Sequence, residues 1–296
     1  MKVAVVGSGI MGLGITQAFA QTDGYEVNLC VVSGKGFEHK QKLFEKPLRR
    51  MVEKGRITQE RFDDIVSRVK ITGLEGAADC DLVIESAIEN MQAKASILKQ
   101  MEEICRPDAL LASNTSSLSI TELSAGLTRP IIGMHFFNPA AVMKLVEVIP
   151  GMTTTEEMVE QVKDIAISID KVPVEVIEGP GFVVNRLLIP LINDAIGIFE
   201  EGLATVEGID IAMKLGANHP MGPLALGDLI GLDVCLAIME VMFHETLDTK
   251  YRPARLLKKM VRAKQLGQKT GKGFYEYDER GRIIPGTAMD MRKITD

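Results

Sequence analysis

The chain has no run of roughly 20 apolar residues, so no segment reads as a membrane-spanning helix. Its first apolar run, Val3 to Val6, is stopped at once by Gly7 and is far too short for the core of a secretory signal. Cysteine is scarce: Cys30, Cys80, Cys105 and Cys235 show no CxxC spacing, and several sit in apolar segments. That pattern speaks against a disulfide framework or a zinc site, and for reduced thiols in the cytoplasm. There is no basic stripe with interleaved aromatics. With 34 Lys plus Arg against 40 Asp plus Glu, the net charge of −6 leaves no electrostatic footprint for nucleic acid. No serine-nucleophile elbow, metal-ligand spacing, internal repeat or low-complexity segment occurs either, so no metal is expected. What remains is a chain of 296 residues, 46% hydrophobic and 25% charged, long enough for two domains with sizeable cores.

Lys2–Val6 reads as a short apolar strand, broken by Gly7-Ser8-Gly9-Ile10-Met11-Gly12 and followed by a helical pattern to about Ala20. A second strand is expected over Glu26–Val32, making a β-α-β opening. From Gly36 to Arg68 a highly charged helical pattern, split at Gly55, predicts two helices projecting from the sheet. Further strands are expected at Asp81–Glu85, Ala109–Ser113, Ile131–His135, Lys144–Ile149 and Val172–Val176, with helices at Met91–Ile104 and about Thr155–Ile169. This alternation predicts an α/β domain of Rossmann type, a doubly wound parallel sheet. Glu178-Gly179-Pro180-Gly181 is a strong breaker and sets the boundary between a dinucleotide-binding domain, 1–180, and an all-helical domain, 181–296. In the second domain, helices are expected from Val183 towards Glu201 with Pro190 at a start or kink, and at Thr205–Leu215 with Thr205 as cap and Gly216 as stop. Two more are expected at Leu224–Glu245 and Pro253–Gln265. The strip Leu187, Leu188, Leu191, Ile192, Ala195, Ile196 and Phe199 is wide for a solvent-facing helix, and reads either as core or as a dimer interface.

The glycine-rich turn is the first element with chemistry in it. Gly7 permits a tight turn, Gly9 lets backbone approach a pyrophosphate, and Gly12 lets helix and strand pack closely; the helix N-terminus at Ile10 and Met11 offers N–H groups to phosphate. GxGxxG alone is weak, but here it follows a strand, opens a helix and precedes a second strand. In NAD sites an acid ends strand two and bonds the adenosine ribose; here that strand ends in Val31 and Val32, and Ser33 with Lys35 offers a donor and a charge for a 2′-phosphate. NAD and NADP both stay open. The cluster Ser113-Asn114-Thr115-Ser116-Ser117-Leu118-Ser119 follows a buried strand at the edge where such sheets bind ligands, though Ser117 or Ser119 also suits a helix cap. His135 ends an apolar strand, and Glu147 lies twelve residues on among valines and leucines. A carboxylate there is costly to bury without a partner, and a histidine is a natural one; the pair suits a general base oriented by an acid.

Several runs together resemble the 3-hydroxyacyl-CoA dehydrogenase family, most closely its single-function bacterial branch. They are Ala112-Ser113-Asn114-Thr115-Ser116-Ser117, His135-Phe136-Phe137-Asn138-Pro139, Met143-Lys144-Leu145-Val146-Glu147-Val148, Pro180-Gly181-Phe182-Val183-Val184-Asn185-Arg186, His219-Pro220-Met221-Gly222-Pro223 and Lys269-Thr270-Gly271-Lys272-Gly273-Phe274-Tyr275. The resemblance covers nearly the whole chain apart from its C-terminal end. It implies hydride transfer at the 3-position of a short acyl-CoA, 3-hydroxybutyryl-CoA and acetoacetyl-CoA being the expected pair. It places the catalytic pair on His135 and Glu147, and the groups holding substrate oxygens on Ser116 and Asn185. Cofactor contacts beyond the glycine turn fall on Glu89, Lys94 and Asn114, and the projecting helices around Lys54 would receive the CoA moiety. A homodimer through the helical domain is implied as well. Val31 departs from the family, which usually carries aspartate there. A dehydrogenase of a small free 3-hydroxy acid is the nearest alternative, but such enzymes usually rely on a lysine of the helical domain, and the His135–Glu147 pair argues against it. A non-enzymatic relative is disfavoured by the intact His135, Glu147, Ser116 and Asn185.

Overall fold

Val3, Ala4, Val5 and Val6 are all fully buried, and this run forms β1 (Lys2–Val6) at the centre of a sheet. The computed structural model describes residues 1–290 and divides into two units, Met1–Gly179 and a second beginning at Pro180. After β1 the first unit continues with α1 (Ile10–Ala20), β2 (Glu26–Cys30), α2 (Phe37–Glu53), α3 (Gln59–Ser67), β3 (Val69–Thr72), β4 (Leu82–Glu85) and α4 (Met91–Ile104). It closes with β5 (Leu110–Ser113), α5 (Ile120–Ser124), β6 (Ile132–Phe136), β7 (Leu145–Pro150), α6 (Glu156–Ser168) and β8 (Val172–Glu175). Thr58, Asn90, Ser119 and Thr155 each accept a backbone N–H three residues on and cap α3, α4, α5 and α6. The sheet order is β3-β2-β1-β4-β5-β6-β7-β8, with β1 to β6 parallel. Strand order reverses between β1 and β4, so a crevice opens at their carboxyl ends. Ile15, Phe19, Leu29, Phe44, Ile84, Met134 and Val148 are buried between the sheet and its helices, each contributing about 1.5–3 kcal/mol of hydrophobic stabilisation.

Three features of the first unit differ from the sequence expectation. β7 runs antiparallel to β6 rather than parallel, and β8 pairs parallel with β7. Residues 137–144 are too few for a helical crossover, so the chain can only turn back. β3 was not anticipated; it is four residues, mostly half-buried, at the sheet edge, too short and too wet to leave a clear alternation. β2 stops at Cys30 instead of Val32, because Gly34 (φ 62) and Gly36 (φ 77) turn the chain into α2.

In the second unit, α7 (Val184–Glu200), α8 (Val206–Gly216), α9 (Pro223–Ile230), α10 (Leu232–Thr246) and α11 (Arg255–Arg262) surround a separate core of Ile192, Ile196, Phe199, Leu224, Leu232, Met239, Leu257 and Phe274. The single helix expected over Leu224–Glu245 is two, parted at Gly231, whose φ of 104 breaks the helical path. Gly216 stays helical, and the left-handed residue that ends α8 is Asn218 (φ 55). Pro190 lies inside α7 rather than at its start. Of the apolar strip, Ile192, Ala195, Ile196 and Phe199 belong to this unit's own core, while Leu187 is 71% exposed. Among the described residues no helix is long and apolar enough to cross a membrane, and no group of His, Cys, Asp or Glu could hold a metal ion.

Candidate active site

The glycine turn joins β1 to α1 at the point where strand order reverses, and its three glycines have different reasons. Gly7 (φ 121) has backbone behind it: a Cβ would stand 2.3 Å from the carbonyl oxygen of Ser86, beyond β4. A Cβ on Gly12 would stand 1.8 Å from the carbonyl oxygen of Gly7. Both therefore serve packing of the protein on itself. A Cβ on Gly9 would meet nothing within 4 Å, so the space over the turn is open. Gly9 is also the N-cap of α1, and Ile10 behind it is 77% exposed. Open room beside a helix N-terminus whose N–H groups point outward fits the diphosphate of a dinucleotide.

Next along the same edge, β4 and β5 carry a polar network around two carboxylates. Glu85 is fully buried; Oε1 accepts from the Ala87 N–H at 2.6 Å, and Oε2 from Ser113 Oγ at 2.6 Å. Lys94 of α4, also without exposed surface, donates to both oxygens at 3.1 and 3.0 Å. Lys94 lies 3.4 Å from Glu89 Oε2 as well, and donates to the Asn114 carbonyl. Glu89 Oε1 gathers the loop after β5: it accepts from Thr115 Oγ1 at 2.7 Å, Ser116 N at 2.7 Å, Ser116 Oγ at 2.9 Å and Ser117 N at 3.1 Å. Burial opposes ionisation of Glu89, but the Lys94 ammonium and these donors outweigh it and hold the carboxyl below its ordinary value. Asn114 ties three strand ends together, its Oδ1 accepting from Phe136 N at 2.9 Å and its Nδ2 donating to Ser86 Oγ at 3.3 Å.

The reversal of β7 creates the next feature. The β6–β7 register sets His135 directly opposite Glu147, and Nδ1 of the ring lies 2.7 Å from Glu147 Oε2. Both side chains are buried, at 7% and 1% exposure, and Phe137 packs on the imidazole with ring centroids 4.5 Å apart. A carboxylate accepting from Nδ1–H makes Nε2 the basic nitrogen of the ring.

The structure thus brings Gly7, Gly9, Ile10, Met11 and Gly12 to one end of the sheet edge, with Glu89, Asn114 and Ser116 beside them. Lys94, expected to contact the cofactor, has no exposed surface in this structure and is held between two carboxylates, Glu85 and Glu89. Ser33 and Lys35 stand exposed in the turn after β2, and Val31 is buried at 2% exposure. Lys54 follows α2 and is exposed, but the cavity of about 900 Å³ along α2 is lined upstream of it, by Lys42, Lys46, Arg49 and Arg50 among others. Asn185, half-buried, stands in the first turn of α7 in the second unit. Sequence reasoning missed Glu85 and Lys40. Glu85 had the same signal as Glu147, an acid within an apolar strand; Lys40, whose Nζ donates to the Ser8 carbonyl at 3.1 Å, had none.

Comparison with known proteins matches residues 2–179 to the family model "3-hydroxyacyl-CoA dehydrogenase, NAD binding domain", and residues 181–277 to "3-hydroxyacyl-CoA dehydrogenase, C-terminal domain". The chain is 52% identical over 282 residues to the 3-hydroxybutyryl-CoA dehydrogenase of Clostridioides difficile, covering 94% of this chain and 100% of that one. It is 49% identical to a probable 3-hydroxybutyryl-CoA dehydrogenase of Bacillus subtilis, over 94% of this chain and 98% of the relative. Among solved structures, the (S)-3-hydroxybutyryl-CoA dehydrogenase of Ralstonia eutropha superposes with a TM-score of 0.88 at 45% identity, covering 94% and 99% of the two chains.

Proposed function

The chain belongs to the 3-hydroxyacyl-CoA dehydrogenase family, and we propose that it interconverts 3-hydroxybutyryl-CoA and acetoacetyl-CoA with His135 as the proton-transferring group. The observation that carries the reading is the buried His135–Glu147 pair at 2.7 Å, on the same sheet edge as a dinucleotide-type glycine turn. The bound nicotinamide supplies the hydride acceptor for oxidation and the hydride donor for reduction. In oxidation, His135 takes the 3-hydroxyl proton on Nε2, while Glu147 holds the tautomer and stabilises the imidazolium that forms. In reduction the same nitrogen returns the proton to the alkoxide. Ser116 is assigned as a donor to the substrate oxygen; its hydroxyl donates to Glu89 in this structure and would be redirected by substrate. Asn185 is kept as a further donor on the sequence resemblance alone. The anionic end of CoA is assigned to the α2 cavity with its Lys42, Lys46, Arg49 and Arg50, and Lys54 just past the helix end.

Two finer readings accompany this one. The cofactor is NADP(H) in preference to NAD(H), because the end of β2 carries no acid to bond a ribose or repel a 2′-phosphate, and Ser33 and Lys35 follow it. The working form is a homodimer through the second unit, whose α7 and α8 leave Leu187, Ile198, Ile211 and Leu215 exposed. Light scattering at micromolar concentration should give the mass of two chains; the mass of one would remove the dimer. Four buried thiols suit a reducing compartment, the cytoplasm. The test of the activity is reduction of acetoacetyl-CoA followed at 340 nm with NADPH and NADH side by side. Turnover with either supports the dehydrogenase, the larger kcat/KM with NADPH supports the cofactor reading, and no turnover with either overturns both.

A further inference from the structure

α2 starts just beyond the end of β2, where an NAD-type site carries the acid that binds the adenosine ribose. In this chain the strand end presents a buried Val31, and the first turn of α2 supplies a cation instead. Lys40 is half-buried, and its Nζ reaches back 32 residues to the carbonyl of Ser8, between the first two glycines of the turn. Ser8 immediately precedes Gly9, where an added Cβ would meet nothing within 4 Å and the open room fits a dinucleotide. Helical geometry separates Lys40 from the cavity along α2. Phe37, Glu38, Gln41, Lys42 and Glu45 line that cavity, and Lys40 does not. Two residues on from Glu38, it lies about 200° round the helix from that acid. Glu38 therefore faces the cavity and Lys40 the glycine turn, so the cation meets the nucleotide site without its nearest acid beside it.

We infer that Lys40 is the residue that selects a 2′-phosphorylated nicotinamide cofactor, its ammonium moving from the neutral Ser8 carbonyl to the phosphate, with Ser33 and Lys35 as supporting contacts. A dianionic phosphate is a stronger acceptor than an amide carbonyl, and a flexible, half-exposed lysine can change partners without moving the backbone. The inference rests on the NADP(H) reading above. The competing role for Lys40 is a plain tie between α2 and the turn, which would serve both cofactors alike.

Isothermal titration of NADPH, NADH, 2′,5′-ADP and 5′-AMP into wild type, Lys40→Met and Lys40→Arg separates these roles, with thermal melting to verify folding. Wild type should bind 2′,5′-ADP more tightly than 5′-AMP. Lys40→Met should weaken NADPH and 2′,5′-ADP by about tenfold or more, the loss of a charge-assisted bond, and change NADH by less than about twofold. Lys40→Arg should keep most of the preference. Equal weakening of NADPH and NADH, or no change in NADPH, would overturn the assignment while leaving the NADP(H) reading intact. If wild type itself does not distinguish 2′,5′-ADP from 5′-AMP, the cofactor reading fails and the assignment fails with it.

Discussion

Two buried carboxylates stand on strands of one sheet, Glu85 on β4 and Glu147 on β7, and their partners set them apart. Glu85 faces an ammonium, and two further donors, Ala87 N and Ser113 Oγ, saturate its oxygens. Such a pair, with every oxygen engaged, holds β4, β5 and α4 in register. Glu147 faces an imidazole, whose second nitrogen can take and return a proton while the first stays bound. Burial costs both carboxylates, and in the proposed mechanism only Glu147 takes part in the chemistry. Equal burial therefore does not tell the two apart; their partners, an ammonium and an imidazole, do.

The comparison can be broken from either side. Glu147→Gln should lower turnover by roughly 10²-fold or more while leaving the melting temperature within a few degrees, because the ring loses its carboxylate but keeps a hydrogen-bond acceptor. Full steady-state activity in that variant would reduce Glu147 to a packing role. Lys94→Met should do the reverse. It leaves the Glu85 charge buried and unpaired, so denaturant unfolding should show a loss of about 3–5 kcal/mol, with turnover of the folded fraction changed by less than about tenfold. Adding Glu85→Gln should restore much of that loss in a double-mutant cycle. A 10²-fold fall in turnover without loss of stability would place Lys94 in the chemistry and erase the distinction.

The second unit offers a smaller refinement, a buried carboxylate with no ion-pair partner among the described residues. Asp228 accepts from the Phe274 and Tyr275 N–H groups and from the Tyr277 hydroxyl, yet burial outweighs these donors and raises its pKa to about 6. Since the folded value exceeds the ordinary 3.8, the stability it contributes is complete at low pH and is lost as pH rises through about 6. Between pH 5 and 7 the wild type should lose about 1 kcal/mol that Asp228→Asn, though less stable at each pH, does not lose. Parallel slopes for the two proteins in urea unfolding would contradict this.

How much of this could be read from the chain depended on the range of the interactions. The glycine turn and the caps at Ser119, Thr155 and Thr205 are local, and local chemistry sets them. His135 and Glu147 were legible because each is an anomaly in an apolar strand, and the register then sets them opposite each other. The direction of β7 was hidden, since the pattern of a strand is the same either way and only the short connection decides. Gly231 looked like one more small residue in an apolar run until its φ of 104 parted α9 from α10. Lys40 lay beyond local reading altogether, as nothing near it in sequence points to Ser8.

The most direct test of the central claim, that the buried histidine moves the proton, is His135→Gln measured for both nucleotide affinity and turnover of acetoacetyl-CoA on the same preparation. The glycine turn lies on another strand of the sheet, so the nucleotide Kd should stay within about twofold while kcat falls by roughly 10²–10⁴-fold. Turnover within a few-fold of wild type would contradict the account.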